Sequence, residues 1–264
     1  RESDIDMVIC MYNVGDKDVF TFASELKQES RHIPFVLLTH FSKEIYRRIA
    51  LQDTSAVDYM FSWHGNADLI VAIIKLFEDL KNSENDIIDK GVQAILLVED
   101  SVRFYSTYLP ELYKLILKQS SEFLKETLNE QQRKFRKRSR PKILLATNLD
   151  DALQMYTRYR NNLLGVISDV GFTVHKGDSA DMEKLDAGID LVKHIKADNE
   201  KMPILLQSSQ DSISAVAKEL GVGFLRKYSK TLMLQLSDFI KEEFGFGDFV
   251  FRDANHVEYG RAAN

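Results

Sequence analysis

The stretch Ala94-Ile-Leu-Leu-Val-Glu-Asp100 decides how this chain is read. Five consecutive apolar residues are far short of the roughly 20 a membrane span needs. They match a short strand buried on both faces, as in a parallel sheet covered by helices. The run then meets two adjacent carboxylates. Charges at the end of a buried strand are costly unless they hold a cation or a basic partner. The same seven residues therefore announce both a fold and a site.

Working outward, short apolar runs alternate with longer segments of helical period. Strands are predicted at 7–10, 35–38, 57–61, 94–98, 142–146, 164–167, 204–207 and 223–225, with a helical pattern after each. This alternation is the signature of βα units around parallel strands, so the fold class is α/β. The polar stretch from Lys81 to Gln93 separates two sets of units. We expect residues 1–85 to form a partial α/β unit, 86–93 a linker, and 94–245 a complete doubly wound five-stranded domain, followed by a tail or linker over 246–264. In such a sheet the functional crevice lies at the carboxyl ends of the strands. One segment breaks the rhythm: from Phe104 to about Arg138 the helical pattern runs for some 35 residues, roughly 50 Å if continuous. We expect its early half to pack on the sheet and its later half on a neighbouring domain, a dimerising arm being the alternative.

Composition narrows the classes. The chain has 264 residues, 35 Lys+Arg against 40 Asp+Glu and a formal net charge of −5, ordinary for a globular protein. Its one cysteine, Cys10, excludes an internal disulfide framework and fits a reducing cytoplasm. No signal peptide or membrane span is read, so a cytoplasmic location and no membrane partner are expected. The basic run 133–142 (RKFRKRSRPK) carries seven cations in ten residues. In an acidic chain without a helix-turn-helix it reads as a basic helix end facing an acidic partner surface, and no nucleic acid is expected. The six histidines show no ligand spacing; His175 alone lies near the site discussed next. No GxxxxGK[ST], GxSxG or HExxH motif is present, so hydrolase chemistry of those kinds has no signature.

Four strand ends carry chemistry, in chain order. Ala94–Val98 leads into Glu99 and Asp100; Gly165-Val-Ile-Ser-Asp169 ends in another carboxylate; Pro203-Ile-Leu-Leu-Gln-Ser208 ends in a hydroxyl; Gly223-Phe-Leu-Arg-Lys227 ends in an ammonium. Three oxygen-bearing acids without thiols form a hard-cation site, with Mg²⁺ as the natural occupant.

Acidic pair, central Asp, hydroxyl and lysine in this order resemble the receiver domain of two-component response regulators, over about residues 93–245. The resemblance implies that Asp169 is a nucleophile taking a phosphoryl group as an acyl phosphate. It implies Mg²⁺ held by Asp100, Asp169, the backbone carbonyl of Gly171 and, through water, Glu99. Lys227 pairs with Asp169 and later with a phosphoryl oxygen, Ser208 hydrogen-bonds another, and Phe224, three positions before the lysine, couples that hydroxyl to a two-state switch. The donor is then a histidine kinase or phosphorelay protein, and the output a fused or separate domain. Two departures from the family pattern stand out: Tyr228 replaces the usual proline after the lysine, and the loop from Gly171 to Asp186 is long.

The first set reads as a degenerate copy. Asp6-Met-Val-Ile-Cys-Met11 puts Met11 at the acceptor position, Pro34-Phe-Val-Leu-Leu-Thr39 keeps a hydroxyl, and Asp58-Tyr-Met-Phe-Ser62 puts Ser62 where lysine is expected. A thioether accepts no phosphoryl group, so a pseudo-receiver with a scaffolding or homodimerising role is expected. The tail from Gly245 reads as extended and β-prone. Long helix, basic run and tail together resemble, less specifically, the receiver-like region ahead of phosphoenolpyruvate synthase enzymes. The alternatives that follow are the regulatory front of a larger phosphotransfer enzyme and an unphosphorylated scaffold. By itself the chain reads as a regulatory phosphoprotein rather than an enzyme.

Overall fold

The computed structural model describes residues 5–13, 15, 17–40, 42–49, 51–125, 140–178, 180–244, 249–252 and 258–262. The chain divides into two compact units, one of residues 1–77 with 101–110 and the other of 78–100 with 111–264.

In the first unit β1 (Val8–Met11), β2 (Phe35–Thr39) and β3 (Tyr59–Ser62) form a parallel sheet in the order β1-β2-β3. Helix α1 (Val19–Glu29) starts where the Asp18 carboxylate accepts the Thr21 N–H at 2.8 Å, satisfying one of the free donors of a helix's first turn. Its Val19, Phe20 and Ala23 bury against Cys10, Phe35 and Leu37, with Ile49 of α2 (Lys43–Ile49) in the same cluster. Residues 101–110 begin helix α4 (Val102–Lys125) and pack on β3. There the Tyr105 hydroxyl donates to the Met60 carbonyl, and the Phe61 and Tyr105 rings meet edge to face at 5.3 Å. The early turns of the long helix thus pack on β3. The helix holds Pro110 where the two units divide, and its expected continuation past Lys125 lies outside the described residues.

Helix α3 (Asp68–Ser83) runs into a π-helical turn, Glu84–Asp89, that sends Ile87 into the core of the second unit. Here β4 (Ala94–Val98), β5 (Lys142–Ala146), β6 (Leu163–Asp169), β7 (Ile204–Ser208) and β8 (Gly223–Arg226) form an all-parallel sheet in the order β5-β4-β6-β7-β8. Every residue of β4, β5 and β7 is buried, which is why these strands read as unbroken apolar runs rather than alternating ones. Helices α5 (Leu149–Tyr159), α6 (Ala187–Asp198), α7 (Ile213–Glu219) and α8 (Leu232–Glu242) complete the unit. Leu96, Val98, Leu144, Val166 and Leu206 of one sheet face join Tyr156, Leu191 and Ile195 of α5 and α6 in one core.

Renumbered within the unit, this order is 2-1-3-4-5, the flavodoxin-like doubly wound topology. The chain leaves β4 to one side and returns on the other, so a crevice opens at the carboxyl ends of β4 and β6. Glu99, Asp100 and Asp169 stand there.

Part of the basic run turns inward. The buried Arg140 guanidinium holds the Asp79 carboxylate at 2.6 and 3.0 Å, and Asp79 also accepts from the Tyr113 hydroxyl at 2.9 Å and the Ile143 N–H at 3.0 Å. Lys142 reaches Asp86 at 2.7 Å. Two of the seven cations thus answer acids of this chain rather than a partner's surface; residues 133–139 lie outside the described ones. After α8, the expected extended tail contains a hairpin of β9 (Phe249–Arg252) and β10 (Glu258–Ala262), paired antiparallel. No helix among the described residues is long and apolar enough to cross a membrane.

Candidate functional site

Each acidic residue is placed by the strand that precedes it. Glu99 follows β4 directly, and its N–H extends the ladder to the Ala146 carbonyl at 3.0 Å. Asp169 is the last residue of β6, which runs two residues further than its apolar core suggests. The Lys227 N–H donates to the Ser208 carbonyl at 2.8 Å, prolonging the pairing of β8 with β7 by one step. The sheet therefore delivers all of these groups to one edge.

There the side chains converge. Lys227, 4% exposed, donates from Nζ to Glu99 Oε2 at 2.7 Å and to Asp169 Oδ2 at 2.5 Å. The other Asp169 oxygen accepts the Val170 N–H at 2.7 Å. One ligand atom each from Glu99, Asp100 and Asp169 lie within 4.8 Å of one another. Burial first, then repulsion from Asp169, pushes the Glu99 carboxyl above the usual range, against the pull of the Lys227 ammonium. Burial, then the charges of Asp169 and Glu183, pushes Asp100 up to about 6, although the Thr173 backbone N–H bonds its carboxylate. Lys227 is held charged: burial opposes the ammonium, and Glu99 and Asp169 more than offset that.

The account of charge is one-sided, with three carboxylates facing one ammonium. An all-oxygen donor set that close together and short of positive charge fits a hard divalent cation, with the backbone carbonyl of Gly171 two residues past Asp169 as a further oxygen. The backbone is tight behind Asp169 as well. A Cβ on Gly188 would run into the Asp169 carbonyl oxygen, so only glycine lets the start of α6 lie against this strand end.

This edge and the strand order can be set beside known proteins. The likeness is to response regulator receiver domains. A response regulator receiver domain protein from Clostridium thermocellum shares 20% identity over 58% of this chain and 94% of that one, with a TM-score of 0.38. Chemotaxis response regulator CheY4 of Vibrio cholerae shares 17% over 56% of this chain and 98% of that one, with a TM-score of 0.34. The Mn²⁺-bound form of response regulator Rcp1 shares 17% over 57% and 92%, with a TM-score of 0.32. No protein-family model matches the chain, and no curated protein matches it. The likeness is one of fold.

The other expected site residues are less tightly gathered. Ser208 is buried and its Oγ accepts the Gln210 N–H at 3.1 Å, a local turn bond. Phe224 on β8 is half-buried and packs on the core. Tyr228 lies at φ +67° in the left-handed region, which costs a non-glycine residue about 1–2 kcal/mol. Its side chain is largely exposed. His175 stays outside the cluster, exposed, with Nδ1 2.7 Å from Asp150 Oδ2.

Three features escaped the sequence reading. Glu183 of the loop stands against Gly171, and the Thr173 N–H serves Asp100; neither has a sequence signature. The buried Asp79 did have one. It stands at helical spacing from the apolar Leu69, Ala72, Ile73 and Leu76 of α3, where a lone carboxylate requires buried partners.

Proposed function

We propose that the second unit is a phosphoryl-accepting receiver in a two-component relay, and that the first is a degenerate receiver that docks or dimerises. The carrying observation is the Lys227 ammonium bridging Glu99 and Asp169 beside Asp100 at the sheet's switch point.

In this reading Asp169 attacks the phosphorus of a phosphohistidine on a kinase or phosphotransfer protein. An O–P bond forms as the N–P bond breaks, and the leaving imidazole takes its electron pair and a proton from solvent. Asp100, Asp169, the Gly171 carbonyl and, through water, Glu99 would hold Mg²⁺, which neutralises charge on the phosphoryl group in flight. Lys227 then shifts from the Asp169 carboxylate to a phosphoryl oxygen. Ser208 gives up its turn bond for another such oxygen, and half-buried Phe224 follows into the space vacated, carrying the change to an output domain. The first unit lacks an acceptor at Met11 and a cation at Ser62, which leaves it a docking role. A cytoplasmic setting follows from this reading of the relay. Nothing here favours the phosphoenolpyruvate synthase reading.

The test is intact-mass analysis after incubation with acetyl phosphate or phosphoramidate and Mg²⁺. The wild type gains one phosphoryl mass, and Asp169→Ala gains none. Failure of the wild type with every donor, a histidine phosphotransfer protein included, would leave the scaffold reading in its place.

A further inference from the structure

Gln207 stands on β7 as the register partner of Asp169 on one side and of Leu225 on the other. It is 1% exposed, and its side-chain Nε2 is buried without a hydrogen-bond partner among the described residues. Leaving such a donor unmet costs about 1–3 kcal/mol, a cost that an apolar residue of the same shape would avoid. A buried amide kept at that cost calls for an acceptor.

The sheet says where the acceptor must come from. Side chains alternate between the faces of a strand, and register partners on parallel neighbours share a face. Val98 pairs with Ser168, so Glu99 falls beside Asp169; Lys227 lies two residues past Leu225. Glu99, Asp169, Gln207 and Lys227 therefore share one face at the carboxyl edge. Beneath them on that face stand Leu97, Ile167, Leu205 and Leu225, all buried and apolar. The side-chain acceptors open to the amide lie toward the edge. Lys227 follows β8, yet its Nζ meets Asp169 on β6, with β7 between them. Adjacent strands are about 4.8 Å apart, so the lysine side chain crosses β7 where Gln207 stands. In the unmodified chain the near carboxylate oxygens are already engaged: Asp169 Oδ1 by the Val170 N–H, Asp169 Oδ2 and Glu99 Oε2 by Lys227.

We propose that Gln207 is a binding residue for the acyl phosphate on Asp169, its amide donating to an oxygen of that group once the phosphoryl arrives. The proposal rests on the receiver reading and adds a buried donor to Lys227 and Ser208. Phosphoryl transfer brings new oxygens to Asp169 and draws Lys227 toward them, which gives the amide the acceptor it lacks. A hydrogen bond made only in the phosphorylated state favours that state by its whole worth.

The experiment compares the full chain with Gln207→Met, which keeps the length of the side chain and removes the donor. Both are incubated with Mg²⁺ and subsaturating acetyl phosphate, and phosphoryl occupancy is read by intact mass beside urea unfolding of the unmodified proteins. We expect the ratio of phosphorylated to free Asp169 to fall about tenfold in Gln207→Met. The unmodified variant should unfold at no lower urea concentration than the wild type, because an unmet donor has been removed. In the wild type, with isotope-labelled glutamine, the Gln207 side-chain amide resonances should shift and their protons exchange more slowly on phosphorylation. Equal occupancy in the two proteins, a variant whose occupancy and stability fall together, or a Gln207 amide unmoved by phosphorylation would overturn the proposal and leave Asp169 as the acceptor. A wild type that takes no phosphoryl group from any donor would overturn the receiver reading and this proposal with it.

Discussion

In the first unit β1 ends in Met11, β2 in Thr39 and β3 in Ser62; in the second, β6 ends in Asp169, β7 in Ser208, and β8 leads to Lys227. The strand bodies are interchangeable in kind, short apolar runs paired in parallel. The ends differ in charge. At the first edge the Ser62 hydroxyl meets His64 Nε2 at 3.0 Å, the Thr39 hydroxyl is buried without a hydrogen-bond partner among the described residues, and no lysine stands at the strand end. At the second, three acids and one lysine are crowded together. Apolar runs specify the sheet, and one residue past each run specifies its chemistry.

The sharpest way to separate the units is through their supports. Asp79→Ala leaves the buried Arg140 facing only Glu78, at 3.9 Å, and strips a bond from Ile143. It should destabilise the second unit by about 4 kcal/mol, read as an earlier urea transition there, while a probe at Trp63 in the first unit changes little. Lys227→Met tests the edge itself. Without the ammonium the carboxylates are unbalanced, and in chelator the second unit should lose about 3 kcal/mol. Mg²⁺ should restore part of that loss, since it replaces the missing charge.

Smaller in effect is pH. Asp100 has its carboxyl pushed up to about 6 in the folded chain, above its ordinary range near 4. For an acid raised by folding, the stabilisation is complete below the unfolded value and is lost as pH rises through the folded one. In chelator the melting temperature of the second unit should therefore fall between pH 4 and pH 7. Added Mg²⁺ should raise it more at pH 8 than at pH 5. A Mg²⁺ effect equal at both values would contradict the account of the cluster. The smallest change is Met11→Asp, which gives the first edge a carboxylate without lysine or acidic pair. Stability should move by no more than about 0.5 kcal/mol at this partly exposed position, and acetyl phosphate should add no label there. Labelling at residue 11 would erase the contrast between the edges.

Much of this was legible in the chain itself. The buried runs at β4, β5 and β7 mark parallel strands because both sheet faces are covered, and Glu99, Asp100, Asp169 and Lys227 stand out because each follows such a run. Strand order was not legible: nothing local in β4 says that β5 lies on one side and β6 on the other. Nor was the partner of Asp79, since Arg140 is 61 residues away and joins it only after folding. Glu183 sits in a polar loop without periodicity, and only the bridge between Phe172 and Lys184 brings it to Gly171. Long-range closure, not local propensity, sets these contacts.

The central claim is that Asp169 carries the phosphoryl group, and borohydride trapping tests it most directly. Borohydride reduces an aspartyl phosphate to homoserine, which peptide mapping locates. After acetyl phosphate and Mg²⁺, the account predicts homoserine at position 169 and at no other aspartate, and none when Mg²⁺ is chelated. Homoserine at Asp100 or elsewhere with residue 169 unmodified, or labelling indifferent to Mg²⁺, would contradict it.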